Sequence, residues 1–182
     1  MTSCSLNERS PVGQVKELAN GVYGLIYQST ILSRCVQIKI ASRLGGTDVI
    51  EIKQRLDLAI ALVNANEKRL SELQKKAIRA IKEIQSDPSR HSGASTSRQL
   101  YNIRSDYVKS VSTGWLAATF VHDGLHIVQK QRGAVYDEST SSKLEKEANT
   151  AMLSVGPLFG LSQVEMDSIR RDRHTAYNVP FY

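Results

Sequence analysis

The sequence TGWLAATFVHDGLHIVQK, residues 113–130, predicts a helix that carries the most informative side chains of the chain. Ser112 and Thr113 are both suitable N-cap residues for its first turn. His122 and His126 lie four positions apart, so both imidazoles project from one face of the helix. Two imidazoles placed in this way can bind one metal ion at about 2.0–2.1 Å. The stretch therefore predicts a metal-binding helix.

A second predicted helix, over residues 143–155, supplies a third candidate ligand. Glu145 and Asn149 are i,i+4 neighbours within it and share a face. If this helix packs against the histidine helix, Glu145 completes a His2Glu zinc site with an open position for water. Asn149 would then accept a hydrogen bond from the Nδ1–H of a liganding histidine and fix its tautomer.

The spacing of these residues resembles that of thermolysin-type zincins. The chain reads His122-x-x-x-His126-x-x-Gln129 and then Glu145-x-Glu147-Ala148-Asn149. This pattern is similar to H-E-x-x-H-x-x-Q followed by E-x-E-A-D in small bacterial metallopeptidase domains of toxin and contractile-injection-system proteins. The E-x-x-A-N element of ImmA/IrrE-type peptidases is related to it. The resemblance covers about residues 113–155 and implies zinc bound by His122, His126 and Glu145, with Asn149 behind the ligands.

The chain departs from this pattern at Asp123, where the resembling families have glutamate. In the mechanism that the resemblance implies, this carboxylate takes a proton from water and returns it to the leaving amine. Aspartate is one methylene shorter, and a misplacement of about 1 Å can cost about 100-fold in rate. Gly124 next to it could permit a shift of the helix that brings Asp123 closer.

Each candidate ligand also has a purely structural interpretation. His122 and His126 could form a polar stripe on a partly buried helix. Glu145 could close a capping box with Ser142, three residues before it. Asn149 could lie on an exposed helical face.

His174 and Tyr177, near the end of the chain, are further candidates for a catalytic role. Zincins commonly use a side chain outside the metal triad to stabilise the oxyanion, and either residue could donate such a hydrogen bond. A surface histidine and a packed tyrosine are the alternatives.

Two other functions would use the same residues differently. An HD-type metal-dependent phosphohydrolase would bind metal through His91, the pair His122-Asp123, and Asp167 or Asp172. That interpretation leaves His126 and Glu145 without a role. A catalytically inactive zincin-like binding or scaffold module is the alternative from another class, and the substitution at Asp123 favours it.

The N-terminal half predicts a scaffold for this site. Residues 15–33 have the pattern of mixed helix and turn, and Cys35–Ile40 alternates as a half-buried strand. Asp48 and Glu51 have the form of a capping box, which opens an amphipathic helix or helix pair reaching Ile84. A polar loop follows at residues 86–97.

The C-terminal half predicts a second strand over residues 101–108, the two helices described above, and a last helix opened by Ser162 and Glu165. Gly156-Pro157 should end the helix that carries Glu145. The predicted fold is α+β and mainly helical, with a small sheet, an active-site helix and, by resemblance, a zincin-like core. Residues 1–100 form its helical N-terminal part with one strand, and residues 101–182 its zincin-like metal-site part, within one compact domain.

The composition of the 182 residues excludes several classes of protein. Apolar residues make up 41% and no apolar run approaches the roughly 20 residues of a membrane span. The net charge of +6 is modest and both signs are interspersed, so nucleic acid is not an expected partner. The expected partners are a protein or peptide substrate and a cognate inhibitor or immunity protein. Two cysteines and no signal-like N-terminus favour the cytoplasm, or export without a cleavable signal.

Overall fold

The computed structural model describes residues 15–17, 21–89, 92–95, 97–137 and 139–172. These residues form six α-helices and a six-stranded mixed sheet, with three of the helices packed mainly on other helices. The predicted α+β, mainly helical fold class is confirmed. No described helix combines the length and the apolar character needed to cross a bilayer.

The sheet has the spatial order β1-β2-β3-β4-β6-β5. β3 pairs with β4, and β4 with β6, in parallel, while the other neighbours are antiparallel. The strands are β1 (Lys16–Glu17), β2 (Tyr23–Ile31), β3 (Arg34–Ser42), β4 (Glu83–Ser86), β5 (Gly93–Ser95) and β6 (Leu100–Ile103).

The helices connect and cover these strands. They are α1 (Gly46–Ala65), α2 (Glu72–Ala80), α3 (Ser105–Ser110), α4 (Thr113–Gln131), α5 (Ser141–Phe159) and α6 (Gln163–Asp172), with a short 3-10 turn at Glu67–Arg69. One hydrophobic cluster includes side chains from both sides of residue 100. The N-terminal and metal-site parts therefore share a core.

The N-terminal part contains more strand than the single one predicted from the sequence. Cys35–Ile40 does lie in β3, with Val36, Ile38 and Ile40 buried. Residues 15–33, however, contribute β1 and the nine-residue β2 instead of helix and turn. The alternation of β2 is concealed because Ile26 faces outward while Tyr27 and Ser29 lie in the half-buried row. β4 and β5 replace the end of the predicted helix and part of the polar loop.

The helix of residues 113–130 is confirmed as α4, which is buried along most of its length. Ser112 caps it by accepting a hydrogen bond from the Trp115 backbone N–H at 3.0 Å. Tyr101 in β6 holds it against the sheet, since its hydroxyl donates to Thr119 Oγ1 at 2.9 Å. α4 therefore presents its histidines from a fixed position in the core.

Gly124 has a different role from the one predicted. A Cβ at this position would overlap the backbone carbonyl oxygen of Ala77 in α2. Glycine is required because the backbones of α2 and α4 touch here, and this contact opposes the shift that Gly124 was suggested to permit.

The helix that carries Glu145 is also longer than predicted. α5 passes through Gly156 and Pro157 and ends at Phe159. Gly160 ends it instead, in the left-handed region with φ +72°, where its backbone N–H donates to the Gly156 carbonyl. The predicted capping box of Ser162 and Glu165 is confirmed at the start of α6.

Candidate metal centre

α4 and α5 bring the three predicted metal ligands together. The Nε2 atoms of His122 and His126 lie 3.1 Å apart. Glu145 Oε2 is 3.4 Å from His122 Nε2, and Glu145 Oε1 is 3.2 Å from His126 Nε2. With one donor atom taken from each residue, all three lie within 4.8 Å of one another. The group can hold a metal ion, and it is the one group of this kind found among the described residues.

The three side chains are mostly buried, with exposed fractions of 17% for His122, 9% for His126 and 18% for Glu145. Burial alone would raise the pKa of Glu145, but the two imidazoles outweigh it and hold that pKa well below its usual range. Burial alone would lower the pKa of His126, but Glu145 outweighs it and the pKa is raised. The site therefore stabilises the ionised carboxylate of Glu145 against the protonated imidazole of His126.

The carboxylate of Glu145 does not take part in a helix cap. Thr140 is the N-cap residue of α5, and no side-chain cap hydrogen bond is formed there. Glu145 Oε2 is buried and has no hydrogen-bond partner, although the His122 imidazole lies beside it. The capping interpretation is wrong, and Glu145 has an unsatisfied acceptor inside the site.

The far side of the His126 ring is held by two other residues. Its Nδ1 lies 2.9 Å from Gln129 Oε1 and 3.0 Å from the hydroxyl of Tyr136. Gln129 is the last residue of the H-x-x-x-H-x-x-Q pattern. Tyr136 lies in the loop between α4 and α5, which carries no periodic signal that could have predicted the contact.

Asn149 lies on α5 one turn after Glu145 and is buried, contrary to the exposed alternative. Its Nδ2 has no hydrogen-bond partner, and neither has His122 Nδ1. These two atoms are unpartnered polar atoms on the two helices that carry the candidate ligands.

Asp123 is buried, with 7% of its surface exposed. Burial raises the pKa of its carboxyl group; the two histidines lower it, Glu145 raises it, and the backbone N–H of Ala94 in β5 lowers it. The net pKa is raised. Asp123 is thus a buried carboxyl group whose charge interacts with all three candidate ligands.

Three further candidates, His91, His174 and Tyr177, lie outside the described residues. Asp167 lies in α6, where it accepts from Gln163 at 2.9 Å and pairs with Arg170. Since His91 and the side chain of Asp172 are not described, the phosphohydrolase alternative stays untested.

Comparison with known proteins identifies no relative of the chain. No family model matches the chain, and no curated protein or solved structure does so either.

Proposed function

We propose that the protein is a zinc-dependent hydrolase, and specifically a metallopeptidase that cleaves an amide bond in a protein or peptide. The observation that carries the proposal is the convergence of two imidazole nitrogens and one carboxylate from α4 and α5. Three such donors with an open fourth position are the ligand set of catalytic zinc sites.

The distances fit zinc. Two ligands bound at about 2.0–2.1 Å to a tetrahedral ion lie about 3.3–3.4 Å apart. The separations of 3.1, 3.2 and 3.4 Å between donor atoms come within a few tenths of an ångström of that value. A mixed set of nitrogen and oxygen donors also suits zinc better than magnesium or calcium, which prefer oxygen alone.

A metal cation between His122, His126 and Glu145 also satisfies their donor atoms better than protons on the imidazoles would. If both imidazoles carried a hydrogen on Nε2, two N–H groups would crowd together across 3.1 Å. A metal ion needs neither hydrogen, and it gives the buried Glu145 Oε2 a partner.

Asp123 would supply the proton transfer. When bound, zinc provides a Lewis acid that polarises a carbonyl group and lowers the pKa of water to about 7. Asp123 would accept a proton from the attacking water and return it to the leaving nitrogen. Its position supports this role, because Asp123 is buried and interacts electrostatically with all three candidate ligands.

Metal analysis tests the proposal first. Protein purified without chelator should contain about one equivalent of zinc, and His126→Ala and Glu145→Gln should each lose it. Glu72→Gln is the matched control, because Glu72 is exposed on α2 and pairs only with Lys75 among the described residues. Zinc-free wild type that also fails to bind added zinc would contradict the proposal.

Cleavage is the second measurement. Labelled unfolded protein and a quenched peptide library should be cut by the zinc-loaded wild type, and neither by His126→Ala nor by chelated enzyme. Bound zinc with no cleavage of any substrate would favour the inactive binding or scaffold module, which the short Asp123 side chain favours as the second candidate.

The biological setting belongs to the proposal as well. The resemblance suggests a bacterial toxin or effector, with a cognate inhibitor or immunity protein as its partner. Its location, in the cytoplasm or exported without a cleavable signal, is part of the same proposal.

A further inference from the structure

Three segments meet behind the His126 ring, on the side facing away from the metal ligands. Gln129 comes from α4, Tyr136 from the α4–α5 loop and Glu147 from α5. Gln129 Nε2 donates to Glu147 Oε2 at 2.9 Å and to the Leu144 carbonyl oxygen at 3.0 Å. The hydroxyl of Tyr136 donates to Gln129 Oε1 at 2.7 Å. We call Gln129, Tyr136 and Glu147 the Nδ1 network.

The orientation of the Gln129 amide follows from its neighbours. A carboxylate and a backbone carbonyl can only accept hydrogen bonds, so the group that faces Glu147 and Leu144 must be the NH2. Turning the amide round would place its oxygen against two other oxygens. Gln129 Oε1 therefore has to face His126 and Tyr136.

The tautomer of His126 follows in turn. Gln129 Oε1 is an acceptor, so His126 Nδ1, at 2.9 Å from it, must carry the hydrogen. In the neutral ring Nε2 then has a free lone pair, and that atom faces His122 and Glu145. A lone pair on Nε2 is what a metal ion requires, and the hydrogen on Nδ1 leaves it there in the neutral ring.

The loop that carries Tyr136 is fixed at both ends. Gly133, at φ +85°, turns the chain out of α4, and the Ala134 N–H donates back to the Gln129 carbonyl at 3.0 Å. Asp137 Oδ1 accepts from the backbone N–H groups of Ser139 and Thr140, both at 2.9 Å. Tyr136 therefore reaches the imidazole from a braced loop, with its hydroxyl 3.0 Å from Nδ1.

We infer that the Nδ1 network positions His126 for metal binding, with Tyr136 as a positioning residue that the sequence pattern does not mark. The inference rests on the proposed function, since it concerns the same metal. Partners of this kind behind a liganding histidine typically contribute 10–100-fold in metal affinity. The three residues are proposed to act through His126 and not by contact with the substrate.

The test is zinc affinity, measured by competition with a chromophoric chelator. Gln129→Met should weaken zinc binding 10–100-fold, and Tyr136→Phe, which removes one hydroxyl, about three- to tenfold. Tyr27→Phe is the matched control, because its hydroxyl donates to Asp57, on α1, and not to the site. It should leave zinc affinity unchanged.

Glu147 provides a rescue within the same experiment. Glu147→Gln keeps an oxygen that accepts from Gln129 and should retain affinity within about threefold, whereas Glu147→Leu removes the acceptor and should lose about tenfold. These two variants and Tyr136→Phe keep the proposal testable if Gln129→Met does not fold.

Urea unfolding of the zinc-free variants separates positioning from general stability. Tyr136→Phe with unchanged zinc affinity, whether or not its apo stability falls, would overturn the inference. If the wild type binds no zinc at all, the proposed function fails. If the wild type binds zinc and every variant of the Nδ1 network has the same zinc affinity as Tyr27→Phe, only the positioning role fails.

Discussion

The carboxyl group of Asp123 is one methylene shorter than the glutamate found in the resembling families, and it is enclosed between α4 and β5. We predict that Asp123→Asn keeps zinc but lowers the rate of cleavage by about 100-fold or more, because the amide cannot accept the proton. Metal content and cleavage rate measured on the same preparation check this. A variant with wild-type turnover would show that another group is the base.

Asp123→Glu tests the reach of the same group. We expect this variant to raise turnover, because the extra methylene carries the carboxylate further from the backbone. Its apo stability should fall by about 1 kcal/mol or more, since the site is buried and well packed. Zinc retained with slower cleavage would mean that the aspartate is already correctly placed.

The candidate site was predictable where its chemistry follows helical periodicity. The i,i+4 spacing of His122 and His126, and a carboxylate on the next helix, were enough to predict which three side chains come together as candidate ligands. Tyr136 was not predictable, because a loop brings it back against its own helix and no repeat marks such a return. Gln129 stood in the quoted pattern, but its contact with Glu147 depends on how α4 and α5 pack.

Contact between α2 and α4 sets the depth at which the histidines lie. We predict that Gly124→Ala lowers the free energy of unfolding by about 1–3 kcal/mol, because its methyl group would overlap the Ala77 carbonyl. This overlap should outweigh the gain of about 1 kcal/mol in helix propensity. Urea unfolding of the zinc-free protein measures the effect.

Gly156→Ala is the control for that substitution. Its Cβ would meet Met166 Sδ at 3.0 Å, and this atom belongs to a flexible side chain that can move. We expect a change within about 1 kcal/mol. Equal losses for the two glycines would contradict the role of close backbone contact.

Asp48 ties α1 to β3 and α3. Its carboxylate accepts from Ser42 Oγ and pairs with Lys109 Nζ at 2.5 Å. The sequence had suggested a capping box for this residue, but α1 begins at Gly46 and Asp48 reaches across to other elements. Burial alone would raise the pKa of Asp48, but Lys109 and Ser42 outweigh it and the pKa is lowered.

A pH-dependent contribution to stability follows from this pKa. A carboxyl group with a lowered folded-state pKa stabilises the protein above its unfolded value of about 3.9 and loses that contribution as pH falls through the folded value. We predict that Asp48→Asn costs about 1–2 kcal/mol at pH 7 and progressively less below about pH 4. Urea unfolding at several pH values checks it; a loss independent of pH would exclude the ionic contribution.

Elements differ in how well the sequence predicts them. β3 was predicted because its buried apolar residues alternate with polar ones, and α4 because suitable N-cap residues open a long, mostly apolar segment. β2 was missed because Tyr27 and Ser29 occupy its half-buried row while Ile26 faces outward. Apolar and polar residue types therefore do not alternate along its sequence. β5 was missed because its three small residues, Gly93–Ser95, gain strand structure from pairing with β6.

Metal binding should stabilise the whole molecule, because the ligands join α4 to α5 in a shared core. At a free zinc concentration of about 100 times Kd, the expected gain is about 2.7 kcal/mol, which raises Tm by about 5–10 °C for a chain of this size. Thermal unfolding with zinc and with chelator measures the shift. His126→Ala should show none, and an equal shift in that variant would indicate zinc bound elsewhere.

The outermost strands of the sheet are its shortest. β1 has two residues and β5 has three, and they occupy opposite ends of the strand order. A long bare border would offer a row of free N–H and C=O groups on which another chain could polymerise. At the β5 end this border is brief, but β1 pairs with only Tyr23 and Gly24 of the nine-residue β2. Among the described residues the rest of the outer edge of β2 has no strand partner, so amyloid-like stacking would start there.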